Sequence, residues 1–228
     1  MTSTERVRAR ASTEEVHDRL RADILAGVHP PGSRLKFAPL AERYAASVGV
    51  LREALTRLCE QRLVTSEPRI GFTVAALSDE DLRDLTATRI EIESVAVRLA
   101  VARGSVDWES ALVAAHHRLE RTPMRSGEPV RVSDEWETAH AAFHRAVLAG
   151  CGSPRLMEIT DELRDSAELY RRWAGVQDQE RDVPGEHRRI LEAVLARDAK
   201  AASRALAEHY EGTLQTLLAQ DRPDSAAS

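Results

Sequence analysis

The sequence predicts a mainly α-helical protein: three helices closed by a small β-hairpin, then an all-α bundle of six helices. Three observations carry this prediction. Apolar residues recur at helical spacing along most of the 228 residues. Only the stretch "LVTSEPRIGFTVAAL", from Leu63 to Leu77, reads instead as strand, turn, strand. Glycine- and proline-bearing breaks then separate helical segments of ordinary length all the way to the C-terminal region.

The first helix starts after Ser12, which with Glu15 has the spacing of a capping box. Val16, Leu20, Ile24 and Leu25 form its apolar stripe, and Gly27 with Pro30, Pro31 and Gly32 ends it. A second short helix, "APLAERYA", carries Pro39 in its first turn, where proline is tolerated. A third runs from about Val48 through "LREALTRLCEQR", with Leu51, Leu55 and Leu58 inward. In the hairpin Leu63 and Val64 lead in, Pro68 to Gly71 turn, and Phe72 and Val74 are the apolar alternates. Beyond Ser78, capped with Asp81, the expected helices are about 79–103, 107–121, 131–149, 154–173, 183–196 and 198–219, with no β-pattern. The expected organisation is a unit over 1–77, a unit over 78–220, and a disordered tail over 221–228.

Composition narrows the class. Hydrophobic residues make up 43% and charged residues 30%, as in a globular chain. No apolar run approaches the roughly 20 residues of a membrane span, and the charged N-terminus lacks a signal peptide's apolar segment. A cytoplasmic protein without a membrane partner is expected. Cys59 and Cys151 form no disulfide framework and read as buried thiols. Net charge is −5 overall, but residues 1–77 hold 12 Lys/Arg against 9 Asp/Glu, and the rest hold 20 against 28. A basic front and an acidic rear suggest that any polyanion is met at the front.

Helix, turn, helix and hairpin in this order is the plan of a winged helix-turn-helix, whose third helix enters the major groove of DNA. On that plan Ser47, Arg52 and Arg57 reach phosphates or base edges, and Arg69 sits at the wing tip. The arginine fork matches phosphate oxygens and guanine bidentately. Any one of these arginines can equally be solvating a helix face.

"DILAGVHPPGSRL", "LAERYAASVGVLREALTRLCEQRLV" and "RIGFTV" resemble the N-terminal domain of GntR-family transcriptional regulators. Ser47, Arg52, Glu53, Ala54 and Leu55 match that family's recognition-helix pattern. Val48 and Val50 stand where the family has arginine and proline, and Phe37 stands where it has glutamate. The rear segments "LRDLTATRIEIESVAVRLA", "FHRAVLAGCGSPRL" and "EHRRILEAVLARDAKAASRALAEH" resemble the FCD domain, the all-helical effector module of the FadR-like branch. "HAAFH" and "CGSPRL" are most similar to a CsiR-like, dicarboxylate-sensing group within it.

Four of the eight histidines fall on expected helices with apolar neighbours: His140 and His144, four apart, and His187 and His209. Helices from three parts of a bundle can aim such side chains at one interior point, and neutral imidazole suits zinc, nickel, copper or iron. A single helical histidine is more often a packed, hydrogen-bonded core residue. The adjacent His116 and His117 read as surface, and His17 and His29 as incidental. The FCD resemblance implies a divalent metal held by one aspartate and three histidines. His144, His187 and His209 match the three, and His140 stands where the aspartate would be. An all-imidazole set favours a borderline metal such as zinc over magnesium. Alternatively His140 is a hydrogen-bonding neighbour and water completes the sphere.

A carboxylate effector on the metal would also want a cation. Arg89 matches an arginine that faces the cavity in FCD domains, with Glu93 as a structural contact, and "ELYRRW" offers Tyr170 and Arg171. The expected function is a homodimeric transcriptional regulator, a repressor, that binds a double-stranded operator and senses a small organic acid in a metal-containing helical domain. Direct metal sensing is the alternative. A helical metalloenzyme is disfavoured. There is no HExxH, no Gly-rich phosphate loop and no nucleophile motif, and Glu186 lies beside His187 on a helix, where neighbours diverge.

Overall fold

The computed structural model describes residues 11–127, 131–174 and 181–219, so the expected tail over 221–228 lies outside the described residues. The chain divides into two compact units, Met1–Leu77 and Ser78–Ser228.

The front unit contains α1 (Thr13–Leu25), α2 (Phe37–Tyr44), α3 (Val48–Glu60), β1 (Val64–Glu67) and β2 (Gly71–Val74). The Ser12–Glu15 capping box forms reciprocally at the start of α1. Its stripe Val16, Leu20, Ile24 and Leu25 is buried against Leu51, Leu55 and Leu58 of α3. Tyr44, fully buried at the end of α2, donates its hydroxyl to Asp23 at 2.6 Å and contacts His29 at 2.9 Å. His29 is thus part of a half-buried hydrogen-bonded network, not the incidental residue the sequence suggests. The hairpin pairs antiparallel, with Val64 opposite Val74 and Glu67 opposite Gly71. Arg34 adds one bridge to Thr73.

The rear unit contains α4 (Asp79–Arg103), α5 (Val106–Arg121), β3 (Arg125–Ser126), β4 (Arg131–Val132), α6 (Asp134–Ala149), α7 (Pro154–Ala174), α8 (Val183–Leu195) and α9 (Ala199–Leu218). Helix starts follow a simple rule here. Ser78, Ser105, Ser133, Ser153, Asp182 and Asp198 each offer a side-chain oxygen to a backbone N–H of the first turn. α4 packs mainly on α9 and α7, α5 on α6, and α8 on α9. Val97, Ala100, Leu112, Phe143, Val147, Ile190, Val194 and Leu206 lie in the shared core.

Three sequence expectations need correction in this unit. A short antiparallel ribbon, Arg125 with Val132 and Ser126 with Arg131, appears where no β-structure was expected. The helix expected from residue 131 therefore begins at Asp134, after its cap Ser133. His116, expected at the surface, is buried edge-on against Phe143, with ring centroids 5.4 Å apart. His117 alone of that pair is exposed. Cys151 is buried as expected, whereas Cys59 is only half-buried.

Candidate metal centre and nucleic-acid interface

His140 and His144 lie one turn apart on α6, His187 in the first turns of α8, and His209 in the middle of α9. Each offers one ring nitrogen, and the four nitrogens lie within 4.8 Å of one another. All four side chains are buried, between 3% and 4% exposed. The Nε2 atoms of His140 and His144 are 3.0 Å apart. His187 Nε2 is buried with no hydrogen-bond partner. Burial, reinforced by neighbouring imidazoles and arginines, holds His140, His144 and His187 well below the ordinary imidazole range. Burial likewise depresses His209, to about 4, against an opposing pull from Glu186. Four neutral imidazoles with converging lone pairs, one of them orphaned, fit a divalent borderline cation.

The atoms behind these rings are equally ordered. His209 Nδ1 lies 2.7 Å from Glu186 Oε2, which leaves Nε2 for the centre. Glu186 in turn accepts from Arg181 Nε at 2.9 Å. Burial alone would raise the Glu186 carboxyl, but the hydrogen bonds from His209 and Arg181 outweigh it and hold it at about 2. His144 Nδ1 lies 3.2 Å from the Tyr210 hydroxyl, which donates to Glu93. The Glu93 carboxylate also accepts from Arg89 Nε at 2.8 Å, and the Arg89 guanidinium lies 4.0 Å from the Tyr210 ring centroid. The His140 ring stacks on Trp136 at 4.4 Å and 14°. Glu137, one turn before His140, is held by two hydrogen bonds from Arg171, at 3.1 and 3.0 Å.

The expected effector residues are therefore placed as follows. Arg89 is engaged by buried Glu93, which is linked to His144 through the Tyr210 hydroxyl, and Arg171 by buried Glu137, 3.9 Å from His140 Nδ1. Tyr170 is buried, and its hydroxyl donates to Asp81 at 2.6 Å near the start of α4. Glu93 is a structural contact, as the sequence reading has it. Sequence reasoning missed Glu137, Tyr210 and Arg181 altogether. It discounted Glu186 because it adjoins His187, yet Glu186 serves His209 on another helix. The spacing of Glu137 to His140 was the one readable signal.

In the front unit Ser47 caps α3, its side chain accepting from Val50 N–H. Arg52 and Arg57 project from exposed positions on α3, and Arg69 occupies the hairpin turn at φ 69°. The Arg52 guanidinium lies 5.0 Å from the Phe37 ring centroid, and Phe37 packs edge-on against Phe72. A groove between α2, α3 and the hairpin is lined by Arg34, Lys36, Phe37, Arg52, Arg69 and Ile70. Arg34 and Lys36 were not singled out from sequence. Lys36 also heads α2 and gives it no side-chain cap. Val48, at the start of α3, is 49% exposed.

A winged helix-turn-helix with a basic groove, joined in one chain to a six-helix bundle, defines a DNA-binding transcriptional regulator rather than an enzyme. The chain belongs to the gntR family of bacterial regulatory proteins: residues 12–74 match that family's profile and residues 84–212 that of the FCD domain. It is 37% identical to the HTH-type transcriptional repressor GlaR of Escherichia coli (strain K12), over 83% of this chain and 88% of that protein. It is 36% identical to the HTH-type transcriptional regulator BphR of Paraburkholderia xenovorans (strain LB400), over 91% of this chain and 86% of that one. A solved GntR transcriptional regulator from Rhodococcus sp. RHA1 superposes with a TM-score of 0.73 at 25% identity, covering 92% of this chain and 99% of that one. Among the described residues no helix is long and apolar enough to cross a membrane.

Proposed function

We propose that this regulator is a homodimeric repressor whose rear unit holds a divalent metal, zinc, on His140, His144, His187 and His209, and senses a small organic acid there. One observation carries the reading: four buried imidazoles from three helices offer ligand nitrogens within 4.8 Å of one another. When bound, the metal supplies a positive centre that would accept a carboxylate oxygen by expanding from four ligands to five. The four neutral imidazoles leave its double charge uncompensated, so an acid is the natural complement. Arg89 and Arg171 add cationic groups on two sides of the cluster, with Glu93 and Glu137 as the carboxylates an incoming anion would compete with. Tyr170 contributes its ring to the wall, its hydroxyl being held by Asp81. Ser47, Arg52, Arg57 and Arg69 carry the contacts with duplex DNA, and a C2 dimer reads a near-palindromic operator.

The test is metal analysis of the purified chain and a DNA-binding titration on selected operator sequences, with and without zinc and a panel of small carboxylic acids. The expected result is one zinc per chain, lost in His144→Ala, and an acid that changes DNA affinity about 5- to 150-fold. A chain that takes up no metal, or a DNA affinity indifferent to every acid, overturns the reading. Affinity that follows zinc alone makes the metal itself the effector.

A further inference from the structure

The four histidines are not equivalently supported. A metal-bound imidazole gives one nitrogen to the cation and must carry its proton on the other, which then needs an acceptor. His209 has that acceptor in Glu186, and His144 has it in the Tyr210 hydroxyl. His140 does not: its Nδ1 is buried and, among the described residues, without a hydrogen-bond partner. The carboxylate facing it is Glu137, whose Oε2 lies 3.9 Å from Nδ1, with both side chains at most 5% exposed.

Three features make Glu137 more than a neighbour. It sits one turn before His140 on the same helix, so backbone geometry keeps the two in register. Its two oxygens already accept from Arg171, but each carboxylate oxygen has a second acceptor site free in principle. The His140 ring stacks on Trp136, at 4.4 Å and 14°, which fixes the ring plane with Nδ1 3.9 Å from Glu137. A movement of about 1 Å brings 3.9 Å into hydrogen-bond range.

We infer that Glu137 is the positioning residue for His140: it accepts a hydrogen bond from His140 Nδ1 when Nε2 holds the divalent cation, with Arg171 as its counter-ion. It thereby supplies, from outside the ligand set, a negative charge that four imidazoles lack. This places His140 among the ligands rather than beside them. Arg171 is then the partner whose hold on Glu137 slackens as His140 engages, which ties α7 to the state of the centre.

The inference rests on the metal reading above, and the experiment separates the two. Zinc affinity is measured by competition with a chromophoric chelator for the full chain, Glu137→Gln, His140→Ala and the double variant. Glu137→Gln keeps the shape and an acceptor oxygen but removes the charge. It is expected to weaken zinc binding about 10- to 100-fold. In the His140→Ala background the same change is expected to cost nothing further, which a purely structural role for Glu137 would not produce. Equal affinity of Glu137→Gln and the parent chain, or an undiminished loss in the His140→Ala background, overturns the assignment of Glu137 alone. A parent chain that binds no zinc overturns the metal reading as well. Should the variants fail to fold, ring 15N shifts of the zinc-loaded parent chain decide. His140 with Nε2 on the metal and Nδ1 protonated supports the assignment, and a ring off the metal or bound through Nδ1 overturns it.

Discussion

The four buried histidines give the metal-free chain an acid sensitivity that follows from their depressed proton affinity. Each folded-state value lies below the ordinary 6.5, His209 at about 4. Between those limits the unfolded chain binds more protons than the folded one, so stability rises with pH through the window. The contribution is complete above about 6.5 and is lost as pH falls below it, for His209 through about 4. Each imidazole in its window adds a slope of up to about 1.4 kcal/mol per pH unit. The melting temperature of the metal-free rear unit is therefore expected to drop between about pH 7 and pH 5, and a flat profile would contradict the burial argument. Glu186 acts lower down: held at about 2, it stabilises above the ordinary carboxyl value of 4.5 and stops doing so as pH falls through 2. Sequence displayed these residues unevenly. His140 and His144 announce themselves by their i,i+4 spacing. His187 and His209 are single histidines on separate helices, suggested as part of a set by their apolar neighbours and sharpened by the resemblance. The residues behind them, Glu186 for His209 and Tyr210 for His144, pair across helices, and no local spacing encodes a cross-helix hydrogen bond.

At the scale of elements, the start of α8 shows how a local rule places a functional side chain. Asp182 caps the helix by accepting from Gly185 N–H at 3.0 Å, with proline in the first turn and His187 two residues beyond. A Cβ on Gly185 would meet Asp182 Oδ2 at 1.9 Å, so a side chain at 185 requires the capping carboxylate to shift. Gly185→Ala is expected to cost at most about 1 kcal/mol, the usual worth of an N-cap, since alanine's better helix propensity offsets part of the loss, and to weaken zinc binding by displacing His187. Thermal melting and chelator competition check both; a variant unchanged in each would show that α8 is held by its packing alone. The same capping logic explains why the rear helices were legible: Ser and Asp stand before periodic apolar runs, and Gly and Pro stand between them. The β3–β4 ribbon was not, because two-residue strands are too short to show alternation. His116 was misjudged by a sound rule half applied. Adjacent helical residues do diverge, but divergence sends one of the two inward, here onto Phe143.

At the scale of the molecule, one chain combines a head built for a polyanion with a bundle built around buried charge. The basic excess of residues 1–77 is concentrated structurally: Arg34, Lys36, Arg52 and Arg69 line one groove, with Glu67 the acid among its lining. If Arg52 meets a phosphate there, Arg52→Ala weakens binding on all sequences alike. It also lowers the slope of log affinity against log salt by about 1. A fluorescence titration across salt concentrations measures this, and an unchanged slope would move Arg52 from the backbone to a base edge or to no contact. The two-unit plan was readable from sequence because each unit has its own periodicity and its own breaks. Its groove was not, since Arg34 and Lys36 reach it from the connection before α2 rather than from a recognisable motif.

Val48 has a consequence of its own. Where the family resemblance has a guanidinium, this recognition helix opens with a half-exposed isopropyl group that can neither donate nor accept a hydrogen bond. A hydrocarbon at that turn is rewarded by the C5-methyl of thymine. Any base contact that such an arginine makes is one the Val48 side chain cannot make at this position.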